Sequence, residues 1–360
     1  MIRSFSFFLL LLCSGAVVAQ ERTAYFYQGR PYGSESLINP ASLILNAGLD
    51  ILQSATHSRV LTTMHISAGL KNVGDNLADP FTQVRKFGWS RFIGQEVFPT
   101  SLSLDKAQWF PNYTLHLIGG GADSRMMEEW YTAHDIPAPF LFACLTVAAE
   151  HALNEAAEND LFVGPNVDPI ADVYIFDLGG VLLFSSDAVA EFFGTTLQMT
   201  AWPGQAAWTP VFNTIENHGQ NYVMRYPVPG LSSTKFFYHF GDNGLFGLSF
   251  LRGNGESVSV AGGATQKQLR TVDVRNGSRT VTVELGWMAG IFYDRDNSLL
   301  FSAIASDRIN EKLRLNLYPG VIDLWGFSPG IFAALGSRDQ FIAGFSVSYS
   351  PVGFALRNKL

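Results

Sequence analysis

From residue 221 onward, apolar residues alternate with small or polar ones at a period of two. In "RTVTVELGWMAGIFYD", Val281, Val283, Leu285, Trp287, Ala289, Ile291 and Tyr293 fall on one side. Thr280, Thr282, Glu284, Gly286, Met288, Gly290 and Phe292 fall on the other. Only extended chain has that period. "DQFIAGFSVSYS" repeats the pattern, and "KFFYHFGDNGLFGLSFLRG" reads as two strands joined at Asp242-Asn243-Gly244, a hairpin signal. With "SLLFSAIAS" and "KLRLNLYPG" added, residues 220–360 are predicted to hold roughly seven to nine strands of about eight to twelve residues, with no helix between them. The expectation is an antiparallel meander.

Alternation alone does not say which face meets lipid, because a soluble barrel or sandwich with an apolar interior gives the same pattern. Two features favour lipid outside. The more polar face is Gly, Ser and Thr, which suits a narrow lumen. Tyr222, Tyr226, Phe292, Tyr293 and Tyr349 lie near strand ends, as interfacial girdles do. Charged residues make up 15% of the chain and aromatics 13%, a greasy balance for a soluble secreted protein. Yet no stretch after residue 20 reaches the roughly 18 apolar residues of a spanning helix. A small membrane β-barrel of about eight strands reconciles the two. The ending "GFALRNKL" lacks the terminal aromatic common in outer-membrane barrels, so the soluble alternative stays open.

"MIRSFSFFLLLLCSGAVVAQ" has a positive charge at Arg3, an apolar stretch, and small residues at Val17 and Ala19. Residues 1–19 therefore read as a cleaved signal peptide, and the expected location is the outer membrane of a Gram-negative envelope. A lipoprotein signal at Cys13 is disfavoured, because the preceding Leu12 is not small. Loss of the peptide leaves Cys144 alone, which excludes an intramolecular disulfide. A net charge of −7 with no basic run argues against nucleic acid as a partner. Membrane lipid is the expected partner, with or without another envelope component.

From residue 36 to 200 the period is mostly helical, so the fold class is α+β, a helical module over residues 20–219 followed by the meander. "SLINPASLILNAGLDILQ" puts Leu43, Ile44, Ala47, Ile51 and Leu52 on one face. "PNYTLHLIGGGADSRMMEEWYTAH", "IPAPFLFACLTVAAEHALNEAAEN" and "DPIADVYIFDLGGVLLF" are three more helices, the last with Asp168 as its expected N-cap and Pro169 at its first position.

Those three helices carry the chemistry. His116, Gly119, Gly120 and Asp123 share a face of the first, and the glycines permit another backbone to come close. On the second, Glu150, His151, Asn154, Glu155 and Glu158 fall within an arc of roughly 140°. On the third, Asp168 and Asp172 are one turn apart with Gly179, while Asp177 points to the opposite face. The expectation is that Glu155 and His151 meet His116 and Asp172 across a helix interface. His116, Glu155 and Asp172 are the candidate catalytic groups, since imidazole and carboxylate supply a base or hold a divalent metal. The spacing contains no His-Glu-x-x-His, and "HLIGGGADSR" lacks the Gly-x4-Gly-Lys-Ser/Thr of a phosphate loop. A hydrogen-bonded structural network, needing no cofactor, accounts for the same residues.

The run "WSRFIGQEVFP", "NYTLHLIGGG", "NEAAEND", "VDPIADVYIFDLGG" resembles a bacterial cell-envelope family of unknown function, and its order of His, Glu, Asp, Asp and Gly is loosely similar to the VanZ-like membrane proteins. The resemblance covers roughly residues 85 to 185. The tripled glycine at 119–121 and Asn154 before Glu155 depart from both groups. It implies an envelope location and a helical module, and no activity. The expected function is an outer-membrane component with a structural, binding or lipid-handling role. The alternative is a membrane-associated, metal-assisted hydrolase acting on a lipid or glycan.

Overall fold

The helical patterns become helices where local caps and glycine-mediated approaches allow them to pack. A computed structural model describes residues 23–54, 57–99, 101, 110–162, 164–273 and 279–359, and the expected signal peptide lies outside them. The chain is α+β and divides into two compact units. One comprises Met1–Tyr27, His65–Glu191 and Thr271–Val281; the other comprises Gln28–Met64, Phe192–Arg270 and Thr282–Leu360. Residues 28–64 and 192–219, read from sequence with the helices, thus cluster with the sheet.

The helical unit contains α1 (Ile66–Ala78), α2 (Pro80–Phe87), α3 (Gly121–Ala133), α4 (Pro139–Asn159) and α5 (Asp168–Phe184). Asp79 caps α2 by accepting from Thr82 N at 3.4 Å, with Pro80 at the first position, where its missing N–H costs nothing. Asp168 is not the cap of α5: it is the first helical residue, and the N-cap is Val167, which makes no side-chain cap bond. Three described stretches of this unit are π-helical, the first being Ile93–Val97. Phe110–Gly120 leads into α3, and Asp172–Asp177 interrupts α5. The core of this unit is Val84, Phe87, Phe92, Val167, Ile170, Ala171 and Phe176. No single helix among the described residues is long and apolar enough to cross a membrane.

Glycines set how closely these helices meet. A Cβ on Gly69 of α1 would lie 2.0 Å from Ala156 O of α4. One on Gly180 of α5 would lie 2.6 Å from Leu117 O, and one on Gly121 would lie 2.8 Å from Gly180 O. The glycine that admits another backbone is thus Gly121, against α5, and not Gly120, which faces the His151 side chain. The start of the described chain is tied in by Glu129, whose carboxylate accepts the backbone N–H groups of Tyr25, Phe26 and Tyr27 at 2.9, 2.7 and 2.9 Å.

The second unit is one sheet of thirteen strands, not about eight. They are β1 (Thr200–Ala201), β2 (Ala207–Thr209), β3 (Thr214–Glu216), β4 (Tyr222–Val228), β5 (Leu231–Phe240), β6 (Asn243–Leu251), β7 (Glu256–Asp273), β8 (Arg279–Arg295), β9 (Ser298–Ser306), β10 (Leu313–Leu317), β11 (Pro329–Leu335), β12 (Phe341–Val347) and β13 (Gly353–Arg357). From β4 to β13 the order follows the chain, as a meander requires; β1 flanks β4, while β2 and β3 follow β13. The sheet is open, with β1 and β3 at its ends, and β2 runs parallel to β13. Three of the strands come from residues 200–216, whose two- and three-residue pieces are too short to show a period, and Tyr222–Arg357 holds ten where seven to nine were expected. The hairpin lies where expected, with Phe240 opposite Gly244.

The alternation sorts the strand faces. Leu285, Trp287 and Ile291 are exposed, whereas Met288 and Phe292 are buried among Trp202, Phe237 and Leu245. Phe292 and Tyr222 are thus core residues and not part of a girdle; Tyr226 and Tyr349 are exposed. The buried side also holds charge. Arg59 pairs with Glu216 at 2.9 Å and with Glu311 at 3.4 Å, Arg225 with Asp294 at 2.5 Å, and Arg308 with Asp242.

Candidate functional site

The π-helical stretches place the acidic and imidazole groups of the helical unit. His116 lies on Phe110–Gly120, and Asp172 and Asp177 lie at either end of Asp172–Asp177. In an α-helix five residues span about 500°, which leaves their side chains roughly 140° apart. In a π-helix, with its i→i+5 bonding, five residues make about one turn. Asp177 therefore joins Asp172, correcting the expectation that it faces away. Asp172 Oδ2 is 3.7 Å from His116 Nε2, and Asp177 Oδ1 is 3.0 Å from His116 Nδ1.

Helix α4 closes the cluster. His151 Nδ1 lies 3.1 Å from Asp177 Oδ2, so one carboxylate spans two imidazoles whose ring centres are 5.2 Å apart. His151 Nε2 is 3.2 Å from Glu150 Oε2, too poorly aligned for a hydrogen bond. A Cβ on Gly120 would stand 3.0 Å from that same nitrogen, a contact tight enough that the ring would have to shift by a few tenths of an ångström. Glu155 and Asp172 are hydrogen-bonded, carboxyl to carboxyl, which needs a proton between them. His116, Glu150, His151, Glu155 and Asp172, predicted to converge, do so. Glu158 and Asp168 are half-buried and reach Glu155 through their charge. Asp123 is buried in the first turn of α3, and Asn154 is half-buried on α4.

Two groups of residues escaped the sequence reading. Glu96 is buried, its carboxyl pushed well above the usual range by burial and by the charge of Asp168. A run of amides ends on Glu155. Asn76 Oδ1 accepts from Asn166 N at 2.9 Å, Asn166 Nδ2 donates to Asn159 Oδ1 at 2.8 Å, and Asn159 Nδ2 donates to Glu155 O at 2.7 Å. Asn72 and Asn76, four residues apart in "NVGDN", were the available signal, since that spacing puts both on one helix face.

Protonation follows from burial and partners. Burial drives Glu155 and Asp172 well above the ordinary carboxylate range, and neighbouring carboxylates push the same way: Asp172 first for Glu155, Asp168 and Asp177 for Asp172. Burial would lower His116, but Asp177 outweighs it and lifts the imidazole to about 9. Burial pushes His151 down to about 4 against the pull of Asp177, and the charge on His116 adds to the fall. The two rings therefore carry one proton charge between them at neutral pH. Among the described residues, no Lys or Arg forms an ion pair with Glu155, Asp172 or Asp177.

His116, His151 and Asp177 each offer one ligand atom, and these three atoms lie within 4.8 Å of one another. The arrangement can store protons in a buried network, or exchange them for a cation. The chain matches no family model, no curated protein and no solved structure.

Proposed function

We propose that this is an outer-membrane protein of the bacterial envelope, with the sheet as a barrel-type wall embedded in lipid and a structural, binding or lipid-handling role. The observation that carries this reading is an inverted distribution of side chains on the sheet. Phe246 is 68% exposed, Trp287 57% and Leu356 73%, and Phe250, Ile291, Leu315, Phe345 and Phe354 are exposed beside them. On the other face Arg308 and Arg225 are each 1% exposed, with Ser249, Ser259, Ser302 and Asn316 also buried.

In water, burying charge while exposing a band of aromatic rings across successive strands is unfavourable on both counts. In lipid the first cost disappears, because the rings meet hydrocarbon, while the buried charges are paired inside in either medium. An edge strand in lipid must have its backbone groups satisfied. The end strands β1 and β3 are two and three residues long, and β1 pairs with only Tyr222 and Val223 of β4, so the rest of that edge would need a partner in lipid. The signal sequence and the resemblance to an envelope family support the same compartment. Fractionation of cells expressing the full chain is the test. Recovery with outer membranes is expected; recovery in the detergent-free periplasmic fraction would overturn the reading.

A second reading, a membrane-associated hydrolase acting on a lipid or glycan, is favoured by the convergence of His116, His151 and Asp177 beside Glu155 and Asp172. Here Glu155 or Asp172 would be the base. Unchanged turnover of envelope lipids and glycans by Glu155→Gln and Asp172→Asn variants would remove it.

A further inference from the structure

We propose that His116, His151 and Asp177 form a binding site for one first-row divalent cation, held through the two imidazole Nδ1 atoms and the carboxylate between them.

The geometry is that of a site drawn slightly open. Both Nδ1 atoms already address Asp177, at 3.0 and 3.1 Å, one to each oxygen. The ligands of a tetrahedral ion bound at about 2.0–2.1 Å stand roughly 3.4 Å apart. Bringing atoms that lie within 4.8 Å to that spacing takes an adjustment of about an ångström. Two imidazoles and one carboxylate suit zinc or iron(II) over calcium or magnesium, which prefer all-oxygen sites. Three protein ligands leave a further position for water or another donor.

The groups behind the imidazoles fit the same assignment. A ligating histidine usually presents its other ring nitrogen to a carboxylate, which fixes the tautomer and strengthens the ligand. A carboxylate stands behind each histidine, on different elements, although neither contact is a formed hydrogen bond. Asp172 Oδ2 is 3.7 Å from His116 Nε2, and Glu150 Oε2 is 3.2 Å from His151 Nε2. Asp172 and His151 are each more than nine-tenths buried, yet Asp172 Oδ1 and His151 Nε2 have no hydrogen-bond partner. Buried polar atoms without a partner are rare and costly.

Charge gives the third argument, independent of those distances. Glu155, Asp172 and Asp177 are buried together with imidazoles as their only cationic counterparts among the ion pairs of the described residues. A divalent ion supplies the missing positive charge and leaves both rings neutral, the form in which imidazole binds metal.

The test uses the full chain without a polyhistidine tag, purified in detergent, stripped with chelator and titrated with Co²⁺ alone. One Co²⁺ per chain is expected, with imidazole nitrogen in its X-ray absorption spectrum and displacement by Zn²⁺. His116→Asn and His151→Asn should each weaken binding at least a hundredfold. Asp172→Asn, acting through His116, should weaken it about 10–100-fold. Asp160→Asn, an exposed change in the same unit, should leave it unaltered. Absence of a stoichiometric Co²⁺, a spectrum without nitrogen ligation, or unchanged affinity in folded histidine variants would each overturn the proposal. Should those variants not fold, the stoichiometry and spectrum of the unaltered protein decide it.

Discussion

Asp172 and Asp177 stand five residues apart and yet face the same histidine, His116, at 3.7 and 3.0 Å. The π-helical turn between them makes this possible. Such turns are rare and are found frequently at functional sites. Here the turn brings a second carboxylate onto a face where ordinary helical geometry allows one, and Asp177 then spans His116 and His151.

A coupled network predicts coupled mutations. In metal-free protein, Glu155→Ala strands Asp172, while the amide run keeps its bond to the residue's backbone carbonyl, and His116→Ala strands Asp177 and Asp172. Each should destabilise the helical unit by about 1–3 kcal/mol or more, the cost of buried polar groups left without partners. Because the two share Asp172, the double variant should lose less than the sum. Denaturant melts of the three variants read this directly, and strictly additive losses would show that the groups do not communicate.

What the sequence revealed depended on period. The sheet was legible because β4 to β13 alternate over five or more residues each, and His116, Glu150, His151, Glu155 and Asp172 were legible because helical spacing aligns them. Asp177 was misread because a π-turn leaves no mark in a pattern read at about 100° per residue. Glu96 and Asn166 were not seen because they lie outside the three motif-bearing helices and reach the cluster only through tertiary packing. The strand count was too low because β1, β2 and β3 are shorter than a readable period, and because strands such as β10 and β13 have five residues where eight to twelve were expected. Tyr222 and Phe292 looked like girdle residues by position, but each sits on the inward face of its strand.

Two glycines should respond oppositely to the same change. Gly180→Ala puts a methyl group 2.6 Å from Leu117 O, a backbone atom that cannot swing aside. It should cost about 1–3 kcal/mol, as overpacking does. Gly74→Ala, in the interior of α1 with nothing within 4 Å, should stabilise by about 0.5–1 kcal/mol through helix propensity. Thermal melts with both shifts of the same sign would contradict this account of helix packing.

The outward face of β8 tests the membrane reading residue by residue. Leu285→Arg places a charge where the strand shows its apolar side and should cost roughly 2–4 kcal/mol near the bilayer midplane, or block assembly. The same substitution on a sheet facing water should be tolerated. Gly286, next along the strand, is not a silent control, because a Cβ there would come within 2.9 Å of Asp307 Cβ. Ala289→Ser, outward but small and uncharged, serves instead and should be mild. Folding yield in lipid vesicles is the measurement, and equal yields for Leu285→Arg and the unaltered chain would sink the assignment.

The last prediction concerns acid. In the sheet unit, burial pushes His218 down to about 3, and the Arg59 guanidinium acts in the same direction, with Arg314 also lowering it and Glu311 opposing. Burial would raise Glu311, but Arg314, Arg59 and Arg308 outweigh it and hold it near 2. Both groups bind protons more readily when the chain is unfolded, so both remove stability as pH falls. For His218 the loss begins near its ordinary value of 6.5 and continues to about 3. For Glu311 it begins near 4.5 and continues to about 2. Asp50, raised by burial and by the charge of Asp242, works in the opposite sense, so the net curve alone does not isolate either group. The difference between variants does. One proton taken up only on unfolding changes stability by about 1.4 kcal/mol per pH unit at most. The unaltered chain should therefore lose more stability between pH ~6.5 and ~4.5 than His218→Gln does, and Glu311→Gln should flatten the curve only below ~4.5. Denaturant midpoints across that range, followed by tryptophan fluorescence, give the comparison. Parallel curves for the unaltered chain and His218→Gln would show that His218 takes up its proton in the folded sheet as readily as in the unfolded chain.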